Sequence, residues 1–324
     1  MSPPDGRAAD RRRGTAYGFL AYGIWGAFPL YFHALRPAGA FEVLAHRIVW
    51  TLVVCAGVLA VRRDGGWVRP LLASRRLTAG ITAAAFLIAG NWVIYVLAVL
   101  TGRTYEAALG YFLNPIVTVA LGVVVLRERL RPLQWGAVGI AFGAFVYIAV
   151  ADRVLPWIPL SLALSFGLYG LVKKRVGASL DALHSLAAET TVLAPVALVI
   201  FGVLLAQGST TFLGQGGLHD GLLVAAGVVT AVPLLFFAAA ARRLPLVTVG
   251  LIQFLTPVLQ LLVGVLLLGE RVSGRLWVGF GIVWVALALL TTDSLLAARR
   301  GRALRSGRAA QAAQAARAPS TVVR

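Results

Sequence analysis

The sequence predicts an all-α membrane protein with ten transmembrane helices, arranged as two inverted five-helix repeats. Three observations support this fold class: a composition too apolar for a soluble domain, ten apolar segments between short polar loops, and an internal repeat. Of the 324 residues, 59% are hydrophobic and 13% are charged, and the mean hydropathy is +0.85. Soluble domains are roughly 45–50% apolar and about 25% charged, so a lipid environment accounts better for this chain.

The apolar residues form blocks of about 20 residues, the length that an α-helix needs to cross a hydrocarbon core. The blocks are continuous rather than alternating, which favours helices over a β-barrel. The ten blocks cover residues 14–33, 39–61, 77–99, 104–126, 132–150, 156–172, 181–206, 219–241, 246–268 and 275–293.

The distribution of charge predicts how these helices are oriented. The net charge is +18, but the basic residues lie in the loops between apolar blocks and not on a soluble face, so we expect no nucleic-acid partner. If the N-terminus is cytoplasmic, 24 of the 30 Lys and Arg residues lie on the cytoplasmic side and 5 lie on the other side. This asymmetry predicts a multi-pass protein of the cell membrane with both termini in the cytoplasm.

Both ends of the chain are polar and basic. Residues 1–13 are expected to form a cytoplasmic N-terminal segment. Residues 298–324, rich in Ala and Arg, are expected to form a disordered or surface-lying cytoplasmic tail. Basic residues near a membrane surface attract anionic lipids, which are therefore the expected partners of the tail and the basic loops. The sequence does not predict an oligomeric state.

An internal repeat divides the chain into two halves, residues 14–150 and 156–293. With a shift of 142 residues, positions 104–144 are identical to their counterparts at 13 places. Pro115 aligns with Pro257, and Glu128 aligns with Glu270. Each half contains five predicted helices, and because five is odd, the second half enters the membrane from the opposite side. Inverted repeats with a binding site at their interface are common in transporters.

Several motifs give this chain a resemblance to a known family. It resembles the RarD-like permeases of the EamA type, in the drug/metabolite transporter superfamily, over residues 14–293. This resemblance implies a ten-helix carrier with a central substrate cavity. The segments that carry it are YGIWGAFPLY (Tyr22–Tyr31), EVLAHR (Glu42–Arg47) followed by Trp50, the pair Asn91–Trp92, LGYFLNP (Leu109–Pro115) followed by RERL, and Gln134–Trp135.

Ionisable residues inside predicted spans are costly and usually functional, and Arg47 is the leading case. Two hypotheses remain open for it: a fixed cation for an anionic substrate group, or a structural pair with Glu189, which the repeat places at the equivalent position. Glu42 and His46 are four residues apart on one helix face and are expected to pair. Glu42, His46 and Glu189 are also the candidates for proton coupling.

Polar and aromatic residues on other spans are the remaining candidates for substrate binding, since such side chains line solute cavities. Asn114 is instead expected to form an interhelical hydrogen bond. Pro115 and Pro257 are expected to kink or open their helices, because proline removes a backbone hydrogen bond. The candidates for substrate binding, besides Arg47, are Asn91, Tyr95, Tyr111, Gln253, Tyr22 and Trp25.

These features predict a secondary transporter of a small solute, a metabolite or a drug-like molecule, that works by alternating access and is possibly proton-coupled. An integral-membrane enzyme and a channel are the alternatives. No catalytic nucleophile–base pair, channel filter, metal-binding spacing or ATP-binding loop is present in the sequence, so we expect no catalytic residues, no metal and no cofactor.

Overall fold

The fold was obtained as a computed structural model. The structure describes residues 4–127, 130–151, 155–176, 180–244 and 246–317, and within these ranges it leaves aside the side chains of 4–9, 70, 126, 174–176, 246–247 and 297–317. Glu128, which the repeat aligns with Glu270, lies outside the described residues.

The described chain is all-α and contains no strand. Each of the ten apolar segments is helical. The helices are α1 (Pro4–Ala34), α2 (Ala40–Arg62), the short α3 (Val68–Ala73), α4 (Arg75–Leu100), α5 (Thr104–Leu126), α6 (Pro132–Ala151), α7 (Trp157–Val176), α8 (Ala182–Ala206), α9 (Gly217–Ala241), α10 (Leu246–Ile252), α11 (Leu255–Leu262) with a π-helical turn (Val263–Leu267), and α12 (Gly274–Arg317).

The lengths and composition of these helices confirm an all-α membrane protein. Eight stretches of the described residues are long and apolar enough to cross a membrane, and α7 contributes a shorter apolar helix over Trp157–Lys173. Between 22% and 50% of the residues in each of the eight stretches are buried in the bundle. Large apolar side chains such as Val124 and Leu205 are exposed, as expected for a surface that faces lipid. The count of ten spans stays a prediction.

The basic tail from residue 298 onwards was expected to be disordered or to lie on the membrane surface. In the structure, α12 continues through this segment as far as Arg317. The composition explains the helix, because Ala, Arg and Gln are strong helix formers.

The two proline-containing repeats differ in their backbone. The second is interrupted at Gln253 and Phe254, between α10 and α11, whereas α5 is continuous through Pro115. Gln253 is four residues before Pro257, and a proline ring clashes with the carbonyl four residues earlier in a helix. The Gln253 carbonyl instead accepts a hydrogen bond from the N–H of Thr256, at 3.2 Å.

Helix packing follows a paired pattern. Helix α1 packs against α9, and α7 packs against α4. Helices α2 and α8 pack against each other, as do α5 and α11, and α6 and α12. These contacts bring together elements that are far apart in the sequence, and they surround the interior of the bundle.

The crossing of α2 and α9 depends on Gly227. A Cβ atom at this position would lie 2.3 Å from the backbone carbonyl carbon and oxygen of Trp50. We therefore expect Gly227→Ala to push the two helices apart and to lower stability by about 1–3 kcal/mol, the usual cost of overpacking.

Thermal unfolding of the purified protein in detergent would measure this loss. Gly221→Ala on the same helix is the matched control, because nothing lies within 4 Å of a Cβ atom added there. Alanine is a better helix former than glycine, so the control should be neutral or slightly stabilising. Equal stability of the two variants would show that the close crossing is not required.

Candidate functional site

An internal cavity of about 490 Å³ lies among α1, α2, α4, α5, α7, α8, α9 and the α10–α11 segment. All seven candidates for substrate binding line it: Tyr22, Trp25, Arg47, Asn91, Tyr95, Tyr111 and Gln253. Glu189 and Pro257 also line this cavity, whereas Glu42, His46 and Pro115 do not. The structure thus brings together residues from six separate segments of the sequence.

The cavity reaches one end of the bundle. Its lining includes Lys173 near the C-terminus of α7 and Ala182, the first residue of α8. At the other end, its lining includes Phe28 and Arg47. There the rings of Phe28 and Phe32 are buried and meet edge to face, with their centroids 5.4 Å apart. The side chain of Lys173, at the α7–α8 end, is 30% exposed, whereas Phe28 and Arg47, at the opposite end, are 7% and 3% exposed. We infer that the cavity opens at the α7–α8 end and is blocked at the opposite end.

Arg47 is held at the blocked end by neutral groups. Its side chain is buried, with 3% exposure. Its Nε donates a hydrogen bond to Thr230 Oγ1 at 3.2 Å, and its guanidinium carbon lies 4.3 Å from the ring centroid of Trp92. The guanidinium carbon also lies 5.1 Å from the ring centroid of Phe32. Within the described chain, no carboxylate forms an ion pair with Arg47, and its two terminal nitrogens hold no hydrogen bond.

The proposed pair between Arg47 and Glu189 is not formed. Glu189 Oε1 instead lies 2.8 Å from Lys173 Nζ, and it also accepts a hydrogen bond from Ser185 at 3.0 Å. The hydroxyl of Tyr169 donates to the other carboxylate oxygen at 3.3 Å. Lys173 on α7 therefore neutralises the charge of Glu189 on α8, and Arg47 is not its partner.

The expected pair between Glu42 and His46 is also wrong. Nδ1 of His46 accepts a hydrogen bond from Trp50 Nε1 at 3.1 Å. The Glu42 carboxylate, 1% exposed, turns instead to the α8–α9 loop, residues 207–216. It accepts hydrogen bonds from the backbone N–H groups of Thr211 and Phe212, at 2.7 and 3.1 Å, and from the hydroxyls of Thr210 and Thr211, both at 2.9 Å.

We call this contact between Glu42 and residues 210–212 the Glu42 latch. Glu42 lies in the first turn of α2, at the end of the bundle where the cavity is blocked. Free backbone N–H groups are strong donors to a carboxylate, so the latch ties the α8–α9 loop firmly to α2. At the same end, the carboxylate of Glu270 accepts hydrogen bonds from the first two N–H groups of α5, those of Thr104 and Tyr105, at 2.9 and 3.0 Å.

The two asparagines that line the cavity differ in their hydrogen bonds. Asn91 forms the interhelical bonds: its Nδ2 donates to the Leu162 carbonyl at 3.1 Å and to Ser165 at 3.0 Å. Its Oδ1 accepts from the hydroxyl of Tyr111, also at 3.1 Å. Asn114, expected to form an interhelical bond, is 3% exposed and has no hydrogen bond to any described residue.

Aromatic rings form the wall of the cavity on the α1 side. The centroids of Tyr22 and Trp25 are 5.3 Å apart, and each lies 6.0 Å from Phe237. Helix α11 is tied to this wall, because Thr256 donates to the Tyr22 carbonyl at 2.8 Å and Gln260 donates to the Trp25 carbonyl at 3.1 Å.

Several cavity residues with clear contacts were not among the sequence candidates, among them Lys173, Tyr169, Thr230 and Gln260. Thr230 and Gln260 could have been predicted from the sequence, since each is a polar residue within an apolar segment. Lys173 lies at the end of a segment, where a basic residue is equally explained as a determinant of topology. No group of three or more His, Cys, Asp or Glu residues that could hold a metal occurs among the described residues.

Comparison with known proteins agrees with this arrangement. The EamA-like transporter family matches residues 155–292. Protein RarD of Streptomyces exfoliatus is 49% identical over 295 residues, which cover 91% of this chain and 93% of that protein. An uncharacterized transporter of Pseudomonas aeruginosa is 43% identical, over 90% of this chain and 97% of its own length. A crystal structure with 18% sequence identity has a TM-score of 0.56 over 87% of this chain and 98% of that chain, which shows a shared fold.

The helical bundle, its internal cavity and these relatives define a multi-pass membrane transporter. The chain belongs to the RarD-like permeases, the EamA-type family of the drug/metabolite transporter superfamily. The resemblance that the sequence motifs indicated is thereby confirmed.

Proposed function

We propose that this protein is a secondary carrier that moves a small organic anion across the membrane by alternating access. The observation that carries the proposal is Arg47, a buried cation on the cavity wall without a carboxylate partner in the described chain. A buried charge is retained when it has a partner. A carboxylate or phosphate group of the solute would supply that partner.

The geometry of Arg47 suits this role. Thr230 and the ring of Trp92 hold the guanidinium in place and leave its terminal nitrogens free. Two parallel N–H groups match the oxygens of a carboxylate or phosphate, and an ordered guanidinium loses little entropy on binding them. The aromatic wall of Tyr22, Trp25 and Phe237 offers an apolar surface for the body of the solute.

Alternating access is supported by the paired packing of helices. Under the repeat, α1 corresponds to α7 and α4 to α9, so the contacts α1–α9 and α7–α4 are equivalent. Helices α2, α5 and α6 each pack against their own counterpart, as elements close to a twofold axis would. Two equivalent halves can exchange conformations, which would block the α7–α8 end and open the other. With both termini in the cytoplasm, the open end would face the cytoplasm.

We extend the proposal to proton coupling through Glu189. It is the one carboxylate that lines the cavity within the described chain. Protonation would break its pair with Lys173 and leave a second cation in the cavity. Glu42 and His46 lie outside the cavity and are poorer candidates.

Uptake into proteoliposomes would test this function. The wild-type protein should transport at least one member of a panel of aromatic carboxylates and organic phosphates. It should prefer that solute about tenfold or more over its neutral isostere, since a hydrogen bond to a charged group is worth about 1.5–3 kcal/mol. Liposomes without protein are the control. Transport of neutral and anionic members alike would contradict the anion site, and uptake indifferent to a pH gradient would contradict proton coupling.

A further inference from the structure

Asn114 is a buried amide for which the fold provides no partner. It lies on α5 and lines the cavity, and its Oδ1 is buried without a hydrogen bond. No described residue bonds its Nδ2 either. Leaving a buried polar group without a partner costs about 1–3 kcal/mol, so such a group is unusual in a folded protein.

The second repeat shows what a structural residue does at this position. The shift of 142 residues aligns Asn114 with Thr256, which donates to the Tyr22 carbonyl and ties α11 to α1. The first helices of the two halves align with a shift of 144 residues, which places Gly23–Gly26 on Gly167–Gly170 and Tyr22 on Phe166. The equivalent bond in the first repeat would therefore run from Asn114 to the Phe166 carbonyl on α7, and it is not made. Helices α5 and α7 nevertheless pack closely, with the Cβ of an alanine at Gly110 falling 2.9 Å from the Pro159 carbonyl oxygen. The packing therefore does not depend on a bond from Asn114.

Two other buried cavity atoms lack a hydrogen bond, but they lie beside each other. These are the Tyr95 hydroxyl and Gln260 Oε1. Nε2 of Gln260 must be the atom that faces the Trp25 carbonyl, since a carbonyl only accepts. Its Oε1 is then free to accept from the neighbouring Tyr95 hydroxyl after a small adjustment. Asn114 forms no hydrogen bond to a described residue through either atom of its amide.

We propose that Asn114 determines the specificity of the carrier by hydrogen bonding an uncharged polar group of the same solute whose anion binds Arg47. This inference rests on the proposed function and deepens it. Because both atoms of the Asn114 amide are free, it suits a group that donates and accepts, such as a carboxamide or a hydroxyl.

The position of Asn114 relative to Arg47 predicts where the polar group of the solute lies relative to its charge. Tyr111 is an electrostatic neighbour of Arg47, and Asn114 follows it by three residues on α5. Residues three apart lie on one helix face, about 5–6 Å from each other. Asn114 is the farther of the two from the α5 N-terminus and so lies nearer the open end. The solute class is therefore an organic anion whose carboxamide or hydroxyl lies on the open-end side of its charge.

Thermal unfolding without solute provides the first test. Asn114→Leu replaces an unpartnered amide with an apolar group of similar shape, so the unfolding midpoint should stay the same or rise. Asn91→Leu is the matched control on the same cavity wall, and its midpoint should fall, because three hydrogen bonds are lost. A fall for Asn114→Leu as large as that for Asn91→Leu would show a structural role and overturn the proposal.

Solute-induced stabilisation provides the second test, with 4-carbamoylbenzoate and its isostere 4-isopropylbenzoate as probes at millimolar concentration. The wild-type protein should be stabilised by the carbamoyl probe. Asn114→Leu should bind that probe about 5-fold to 100-fold more weakly, from the cost of unpaired buried polar groups, and should bind the isopropyl probe at least as well as before. Equal losses for both probes, or no loss for either, would overturn the proposal.

Arg47→Gln separates this proposal from the function on which it rests. If Arg47 binds the anion, this variant should lose stabilisation by both probes. If it keeps both while Asn114→Leu loses only the carbamoyl probe, the anion site is wrong and the role of Asn114 stands. If neither probe stabilises the wild-type protein, the described solute class is wrong.

Discussion

Replacing Arg47 with glutamine should abolish transport of the anionic solute while the protein remains folded. Removal of one partner from a buried, hydrogen-bonded charge pair costs about 2–5 kcal/mol, so the apparent affinity should fall by roughly 30-fold to several thousand-fold. Among the described residues, Arg47 makes one hydrogen bond, to Thr230, and contacts aromatic rings. Its loss therefore leaves no carboxylate of the described chain unpaired.

The measurement is uptake into proteoliposomes, with thermal unfolding and gel filtration as the tests of folding. Arg47→Lys is the informative control, because it keeps the charge and loses the paired N–H groups. It should retain weak transport. The competing hypothesis from the sequence was a structural pair with Glu189. Loss of folding in Arg47→Gln, rescued by Glu189→Gln, would support that pair against the anion site.

Replacing Glu42 with alanine should open the end of the cavity that is blocked in this structure. The variant removes the shared acceptor of two backbone N–H groups and two hydroxyls of the α8–α9 loop, of which the Thr211 hydroxyl keeps its contact with His219 Nε2 at 2.8 Å. Each hydrogen bond to a charged group is worth about 1.5–3 kcal/mol. This loss is large enough to reverse an equilibrium between two conformations that differ by a few kcal/mol.

Cysteine labelling would measure this opening. Cys55 is the only cysteine of the chain and is buried, so Cys55→Ala provides a background without thiols. Phe28→Cys then places a thiol on the cavity wall at the blocked end. A membrane-impermeant maleimide added at that side should label it several-fold faster in Glu42→Ala than in the parent.

Glu106→Ala is the matched control for the Glu42 latch. Glu106 is also in the first turn of its helix at this end of the bundle, but it pairs with Arg103 three residues earlier. A pair of this kind contributes about 0.2–1 kcal/mol, so labelling should hardly change. If Glu42→Ala and Glu106→Ala are labelled equally, the latch does not control access.

Hydropathy and the internal repeat predicted the helices well, because both are local properties of the chain. All ten apolar segments are helical, and the boundaries differ by a few residues at most ends. The largest differences are at α1 and α12, where the helices extend into polar segments. Hydropathy detects only apolar segments, so it cannot detect the polar ends of these two helices.

Part of the set of cavity residues was also predictable. Polar and aromatic side chains in apolar segments are costly in lipid, so they collect in the interior. This reasoning found Arg47, Asn91 and Tyr111, and it could have found Thr230 and Gln260 by the same signal. This reasoning did not find Lys173, because a basic residue at a helix end is equally well explained as a determinant of membrane topology.

What the sequence determined by itself is therefore the class of protein, the helices and several of the residues that line the cavity. Only the tertiary structure decided which of these residues are partners. Pairing depends on the depth and rotation of neighbouring helices, and neither is encoded in spacing along one chain segment. Glu189 thus pairs with Lys173 and Glu42 with the α8–α9 loop, which leaves Arg47 without a carboxylate and Asn114 without a hydrogen bond in the described chain.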